Sequence, residues 1–318
     1  MSANANTPTR RELLTGLAAI AGSGLLTFEA NASEKPQRYA SDYISFVGAD
    51  RQGRVYLAHD NNRGQTGDRF FADHWITMFD EATGWVDVKG SAHYPNTLKQ
   101  LEVIPPSDHF VFSGSLAIGI SFKSATNRMS LDIEPLSPVL KRTRPDGVFW
   151  TSAAPATLAW QDRQLKGRVI IEYLRRHDWN RFTHKFEANW RNFNGLYLLT
   201  GDGRDFYMHS HERQDGSDLT GRLVGMATWD APAPIADIKF DIVDKEKGGG
   251  ESQFYWPTAW NVGFTHGGRP YVAALRMREK KLFAWWKTGG FRMAIVDGEI
   301  TSSGQPPTKV TGWAELLI

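Results

Sequence analysis

Between Glu172 and His211 the chain carries carboxylates and imidazoles at spacings that strands could bring together. In Arg168–Leu174 (RVIIEYL), alternation puts Val169, Ile171 and Tyr173 on one face and Ile170, Glu172 and Leu174 on the other. Glu172 is thus a carboxylate flanked by aliphatic side chains. If that face is buried, desolvation raises its pKa and keeps a proton available near neutrality. Protonating a C=C bond needs such an acid, together with a site that tolerates the resulting cation. The faces of Trp179, Trp190, Trp256 and Trp260 could supply the second part. Tyr173, Tyr207 and Tyr255 would extend the same ligand-binding wall. The competing reading pairs Glu172 with an arginine as structural glue.

His177 and Asp178 follow directly and could form an acid–base pair with Trp179 as its aromatic wall, or an ordinary polar turn. Asp178 is the second candidate acid, and His177 or His209 the candidate base or water-positioning group. His209 and His211, at i and i+2, share a strand face with Tyr207. Two such histidines can reach one ion, yet no third ligand stands nearby, so a polar cavity wall or a solvent-facing stripe is expected and no metal site. The absence of cysteine removes thiol chemistry. Neither a G-x-S-x-G elbow nor a glycine-rich nucleotide loop is present, so no cofactor is expected. His59–Gly64 (HDNNRG) is polar and loop-like and could lie at a lobe interface.

The elements that must position these groups read as strands. Gly114–Phe122, Arg168–Leu174, Gly195–Thr200, Asp205–His211, Asp237–Val243 and Pro270–Met277 are short, apolar or alternating, and bounded by turn residues. Gly201-Asp202-Gly203, Asp50–Gly53 and Asp297-Gly298 are expected as hairpin turns. No segment after residue 32 shows a long, capped helical period. The expectation is an all-β protein of barrels or sandwiches. Pro135, Pro138, Pro145 and Pro155, with Lys141-Arg142-Thr143-Arg144, place a linker at 139–155, between a β lobe at 40–138 and another at 156–318.

The N-terminus reads as an export signal at 1–32. Arg10-Arg11 precedes an apolar run from Leu13 to Phe28, which ends at an A-x-A site, Ala30-Asn31-Ala32. The paired arginines resemble the twin-arginine signal, which implies passage through that export machinery and a periplasmic or secreted protein. The net charge of +2, without a dense basic stretch, argues against nucleic acid as a partner. No later apolar run is long enough to span a membrane as a helix. Twelve tryptophans in 318 residues point instead to an aromatic pocket for a hydrophobic small molecule.

Asn189–Leu196 (NWRNFNGL) runs into Gly201–Met208 (GDGRDFYM) and then Gln214-Asp215-Gly216. Together these resemble the Trp hairpin of the AttH-like and carotenoid 1,2-hydratase (hydroxyneurosporene synthase) family. Tyr255–Val262 (YWPTAWNV) and Val310–Leu316 (VTGWAEL) are similar to that family's later strands. The resemblance implies two consecutive lipocalin-like β lobes, with a ligand space inside or between them. It also implies hydration, isomerisation or cyclisation of an unsaturated, terpenoid- or polyene-like molecule. Where carotenoid hydratases carry a Tyr–aromatic–Asp segment, this chain has Glu172–Asn180 (EYLRRHDWN) instead. Two other classes fit the same residues: a non-catalytic lipocalin-like carrier, and a carbohydrate-active β-sandwich whose tryptophans stack on sugars.

Overall fold

The computed structural model describes residues 37–66, 69–90, 92–95, 109–115, 118–136, 140–144, 147–176, 190–200, 203–213, 224–227, 233–247, 255–282 and 292–317. Their regular structure is entirely β. The N-terminal signal expected at 1–32 lies outside the described residues.

The first sheet is built from β1 (Gln37–Asp50), β2 (Gly53–Thr66), β3 (Arg69–Asp80), β4 (Gly84–Val86), β5 (Ala92–Pro95), β6 (Val111–Ser115), β7 (Gly119–Ser124), β8 (Met129–Ile133), β9 (Leu140–Arg144), β10 (Gly147–Trp160) and β11 (Arg163–Arg176). The second comprises β12 (Trp190–Thr200), β13 (Phe206–Arg213), β14 (Val224–Ala227), β15 (Ala233–Pro234), β16 (Ala236–Lys247), β17 (Tyr255–His266), β18 (Arg269–Leu282), β19 (Arg292–Ser302) and β20 (Gln305–Leu317). All the strand pairings are antiparallel, and long neighbours follow one another by hairpins except at β1–β11 and β12–β20, where the first and last long strands of each lobe pair.

The passage from one sheet to the other falls between Arg176 and Trp190, later than the proline-rich stretch. Residues 140–144 and 147–155 belong to β9 and β10 of the first sheet. Pro155 is accommodated because β10 pairs with β9 over Gly147–Thr151 and with β8 over Ala156–Trp160, which leaves the proline in the gap between the two ladders. Gly114–Phe122 forms two strands, β6 and β7, because Gly114 and Gly119 both adopt positive φ at a tight reversal. Asp297-Gly298 lies inside β19, and the chain reverses at Ser303-Gly304.

Alternation divides the buried apolar side chains into three clusters. One fills the inside of the first lobe, with Phe46, Leu57, Phe122, Leu131, Leu158 and Val169. Another fills the inside of the second, with Leu196, Phe206, Trp260, Val262, Leu275 and Leu316. The third lies between the sheets, where Tyr43, Tyr56, Trp75 and Phe149 of the first lobe meet Tyr197, Tyr207, Ile295 and Trp313 of the second. Each strand crossing the middle of the molecule is therefore buried on both faces, as for Ile170 toward the seam and Val169 toward the lobe interior.

Candidate active site

Register carries polar residues into that third cluster. Tyr43 on β1 lies opposite Asp60 of β2 and Glu172 of β11, and the same row continues to Trp75 and Thr151. Directly paired residues share a face, so Trp75, Asp60, Tyr43, Glu172 and Thr151 all point toward the second lobe. On the other side of the seam, Trp313 and Glu315 alternate with Ala314 and Leu316 along β20, so the first pair face the seam and the second pair the lobe interior. Tyr197 of β12 packs its ring 4.7 Å from that of Tyr43 and 5.1 Å from that of Tyr207. Its hydroxyl donates a hydrogen bond to Glu315 Oε2 at 3.2 Å.

Burial sets the protonation of this group. Glu315 is buried among aromatic and aliphatic side chains. Desolvation holds its pKa well above the usual carboxylate range, the negative charges of Asp60 and Glu172 push it the same way, and the Tyr197 hydrogen bond offsets part of this. Glu315 therefore holds its proton to a higher pH than an ordinary glutamate. Tyr43 and Tyr197 are also raised, first by burial and then by the neighbouring acids, so both remain phenols. Asp60 is 2% exposed and accepts a hydrogen bond from Ser41 Oγ at 3.0 Å.

Several seam-facing polar atoms are buried without a hydrogen-bond partner. They are Tyr43 Oη, Ser45 Oγ, Thr77 Oγ1, Thr151 Oγ1 and Trp313 Nε1. Buried donors and acceptors are normally satisfied, and leaving one unpaired costs about 1–3 kcal/mol. Water or a ligand can complete them. A protonated acid, further carboxyl groups and aromatic faces there can donate a proton, stabilise a cation and accept a proton from water.

The expected site residues are distributed unevenly around this seam. Glu172 and Tyr207 face it. Tyr173 points to the other face of β11 and packs against the first lobe's interior core, with the Arg175 guanidinium 3.7 Å from its ring centroid. Trp256 and Trp260 lie in the interior core of the second lobe. Position 209 on β13 pairs with Gly195, whose other neighbour is Glu315. Trp190 opens β12 opposite Arg213, and Tyr255 opens β17 opposite Lys247. His177, Asp178 and Trp179 lie outside the described residues. Among the described residues, no three His, Asp or Glu side chains are placed to hold a metal ion.

Tyr43, Asp60, Tyr197 and Glu315 join the site from outside the set expected from sequence. Glu315 had a signal: a carboxylate on the same strand face as Trp313, two residues on, flanked by Ala314 and Leu316. Asp60 had none, because the polar run His59–Arg63 conceals its alternation. That run is not a loop but the middle of β2, with His59, Asn61 and Arg63 turned into the first lobe.

No family model and no curated protein sequence matches the chain. Solved structures do. A crystal structure from Nitrosomonas europaea assigned as an AttH aligns with a TM-score of 0.61 at 11% identity, covering 88% of this chain and 92% of that one. Kievitone hydratase from Nectria haematococca aligns with a TM-score of 0.50 at 7% identity, covering 88% of each chain. At these identities the likeness speaks for architecture, and it extends over both lobes and the seam between them. The chain has the AttH-like fold, two lipocalin-like β lobes in succession.

Proposed function

We propose that the protein is a cofactor-independent enzyme that acts by proton transfer on an apolar, unsaturated small molecule, terpenoid- or polyene-like, bound at the seam between the lobes. The observation that carries this reading is Glu315, a buried carboxyl whose pKa is raised by desolvation and by its neighbours Asp60 and Glu172, in an aromatic setting. Its proton goes to one carbon of a C=C bond, using the π electrons. The cation left on the neighbouring carbon is stabilised by the faces of Tyr43, Tyr197 and Trp313 and by the carboxyl groups nearby. In a hydration, water attacks that carbon and its spare proton passes to Glu172 or Asp60. In an isomerisation or cyclisation, the cation loses a proton to one of the same groups. Tyr43 Oη, without a protein partner, is the hydroxyl left to orient substrate or water.

The structural likeness to a hydratase supports the reaction class. Because the acids sit among buried rings, the seam fits a greasy ligand better than a glycan, whose sites line open grooves. The remaining candidates from sequence keep their places in the proposal: His177, Asp178, Trp179 and His209 as further acid–base and wall groups near the end of β11 and on β13. The proposed location is outside the cytoplasm, on the strength of Arg10-Arg11 and the apolar run that follows. Among the described residues no helix is long and apolar enough to cross a membrane.

The test is turnover in deuterated water with a panel of linear terpenoids and polyenes, read by mass spectrometry. The expected product carries solvent deuterium at carbon, either as an adduct of water or as an isomer. Glu315→Gln should lower kcat by about 10²–10⁴-fold, the usual contribution of a positioned general acid. Tyr43→Phe should cost about tenfold. A protein that binds these molecules but incorporates no deuterium is a carrier, which contradicts the proposal.

A further inference from the structure

In the cluster between the lobes, Tyr43, Tyr56, Tyr197, Tyr207, Ile295 and Trp313 are all buried against one another. A ligand that meets Glu315 there has to displace part of the protein. The part that moves most readily is the one with the least buried packing.

One margin of the seam is held that lightly. After β3 the chain turns over Asp80–Gly84 and continues as a strap, residues 84–90, which begins with β4, the edge strand of the first sheet. Alternation sends Val86 and Val88 toward the first-lobe core and Trp85 toward the seam, and all three are half-buried. The Trp85 ring lies 5.2 Å from that of Phe79 and 6.0 Å from that of Trp313, so it covers the flank of the buried indole. Both indole Nε1 atoms are buried without a hydrogen-bond partner.

The strap is anchored at its two ends. Asp80 holds the turn, accepting from Ala82 N at 3.2 Å and Thr83 Oγ1 at 2.9 Å, and pairs with Arg163 at 3.0 Å. At the far end Lys89 N donates to Asn127 Oδ1 at 2.9 Å, and the Lys89 carbonyl accepts from Asn127 Nδ2 at 2.7 Å. Between them Gly84 has a φ of 85° and open space where a side chain would stand, which makes it a pivot.

Strand β18 of the second lobe closes on this strap. A β-bulge between Met277 and Glu279 re-aims Arg278, whose guanidinium meets Glu81 in the turn at 2.6 Å. Lys281 shares a row of the sheet with Met293 and Glu315, and its ammonium lies 5.2 Å from the Trp85 ring centroid. Asp87 of the strap places an opposite charge near that ammonium. Such part-exposed contacts are weak beside the aromatic packing of the rest of the seam.

We propose that residues 84–90 are the gate of the seam, a strap that swings on Gly84 to admit an apolar ligand beneath Trp85 and is clipped shut by Lys281. The gate has a use only if the seam takes a ligand, as proposed above, but its opening can be seen without one.

Hydrogen exchange at the indole N–H groups of the ligand-free protein reads the opening. Lys281→Gln should speed exchange at Trp85 and Trp313 by about twofold to fivefold, the loss of one cation–π contact with its charge pair. Trp260, inside the second lobe, should not change. Association and release of N-phenyl-1-naphthylamine, a neutral apolar fluorophore, should both quicken by the same factor, with Kd unchanged. In a chain without cysteine, Asp87→Cys with Lys281→Cys can be joined by a short bifunctional maleimide, and exchange at Trp85 and probe uptake should then nearly stop. Exchange that is unchanged in Lys281→Gln, or that rises equally at Trp260, would overturn the strap as a moving part. Selective exchange, with uptake undiminished in the cross-linked protein, would mean that ligands enter elsewhere; the gate falls and the seam stands. Selective exchange with no uptake in any variant would overturn the seam as a binding site, and the gate with it.

Discussion

Glu315 and His74 are both buried, and the sign of their pKa shifts sets opposite dependences of stability on pH. Glu315 has a raised pKa in the fold, so its protonated form adds stability that is present below 4.5 and lost as pH rises toward the folded value. Glu315→Gln should therefore become more stable relative to the unaltered protein as pH rises above 4.5, measured by urea unfolding; a difference that does not vary with pH contradicts a protonated Glu315. His74 is lowered, chiefly by burial, to about 4. The unfolded chain takes up a proton near 6.5 that the folded His74 refuses, so stability is lost as pH falls from 6.5 toward 4, by roughly 3 kcal/mol from this group. His74→Gln, followed across pH so that its packing loss cancels, should show a shallower acid limb. At this scale the sequence was legible where alternation was clean. Glu172 stands out among Ile170 and Leu174, whereas Tyr43 and Tyr197 look like ordinary strand residues until the two sheets face each other.

Strand β20 brings Trp313 and Glu315 to the seam, and its close approach to β12 depends on Gly312. A Cβ at that position would overlap the carbonyl oxygen of Tyr197. Gly312→Ala should push β20 away from β12 and stretch the Tyr197–Glu315 hydrogen bond. The expected cost is roughly 1–3 kcal/mol in urea unfolding, by overpacking, with about a tenfold fall in kcat from the misplaced acid. Unchanged turnover would separate that hydrogen bond from catalysis. Some strands were readable from period and turn residues, as with Arg168–Leu174 inside β11 and Pro270–Met277 inside β18, but none of β1–β5 was. The misread turns share a cause: proline and glycine mark turns only when local geometry decides. Pro155 sits in a gap between two ladders, and Gly298 serves the close approach of β18 rather than a reversal. Neither circumstance is local in sequence.

At the scale of the molecule, two kinds of contact join the lobes, and their magnitudes differ. Arg278 reaches Glu81 at 2.6 Å and Tyr56 Oη at 3.1 Å, but the ion pair is part-exposed and worth about 1 kcal/mol or less. Trp313 is fully buried between Tyr56 and Trp85, and its loss should cost about 3–5 kcal/mol. Arg278→Ala should thus barely change thermal unfolding, while Trp313→Ala should lower the transition and let the lobes melt separately; a single transition at an unchanged temperature in both variants would show that the seam does not hold the lobes together. The central claim is that this seam keeps a carboxylic acid protonated near neutral pH. Infrared difference spectroscopy of the unaltered protein against Glu315→Gln at pH 7 tests it most directly. The claim predicts a carbonyl stretch of a neutral carboxyl group that vanishes in the variant. Loss of carboxylate bands alone would mean that Glu315 is ionised, and the seam would have no acid to give.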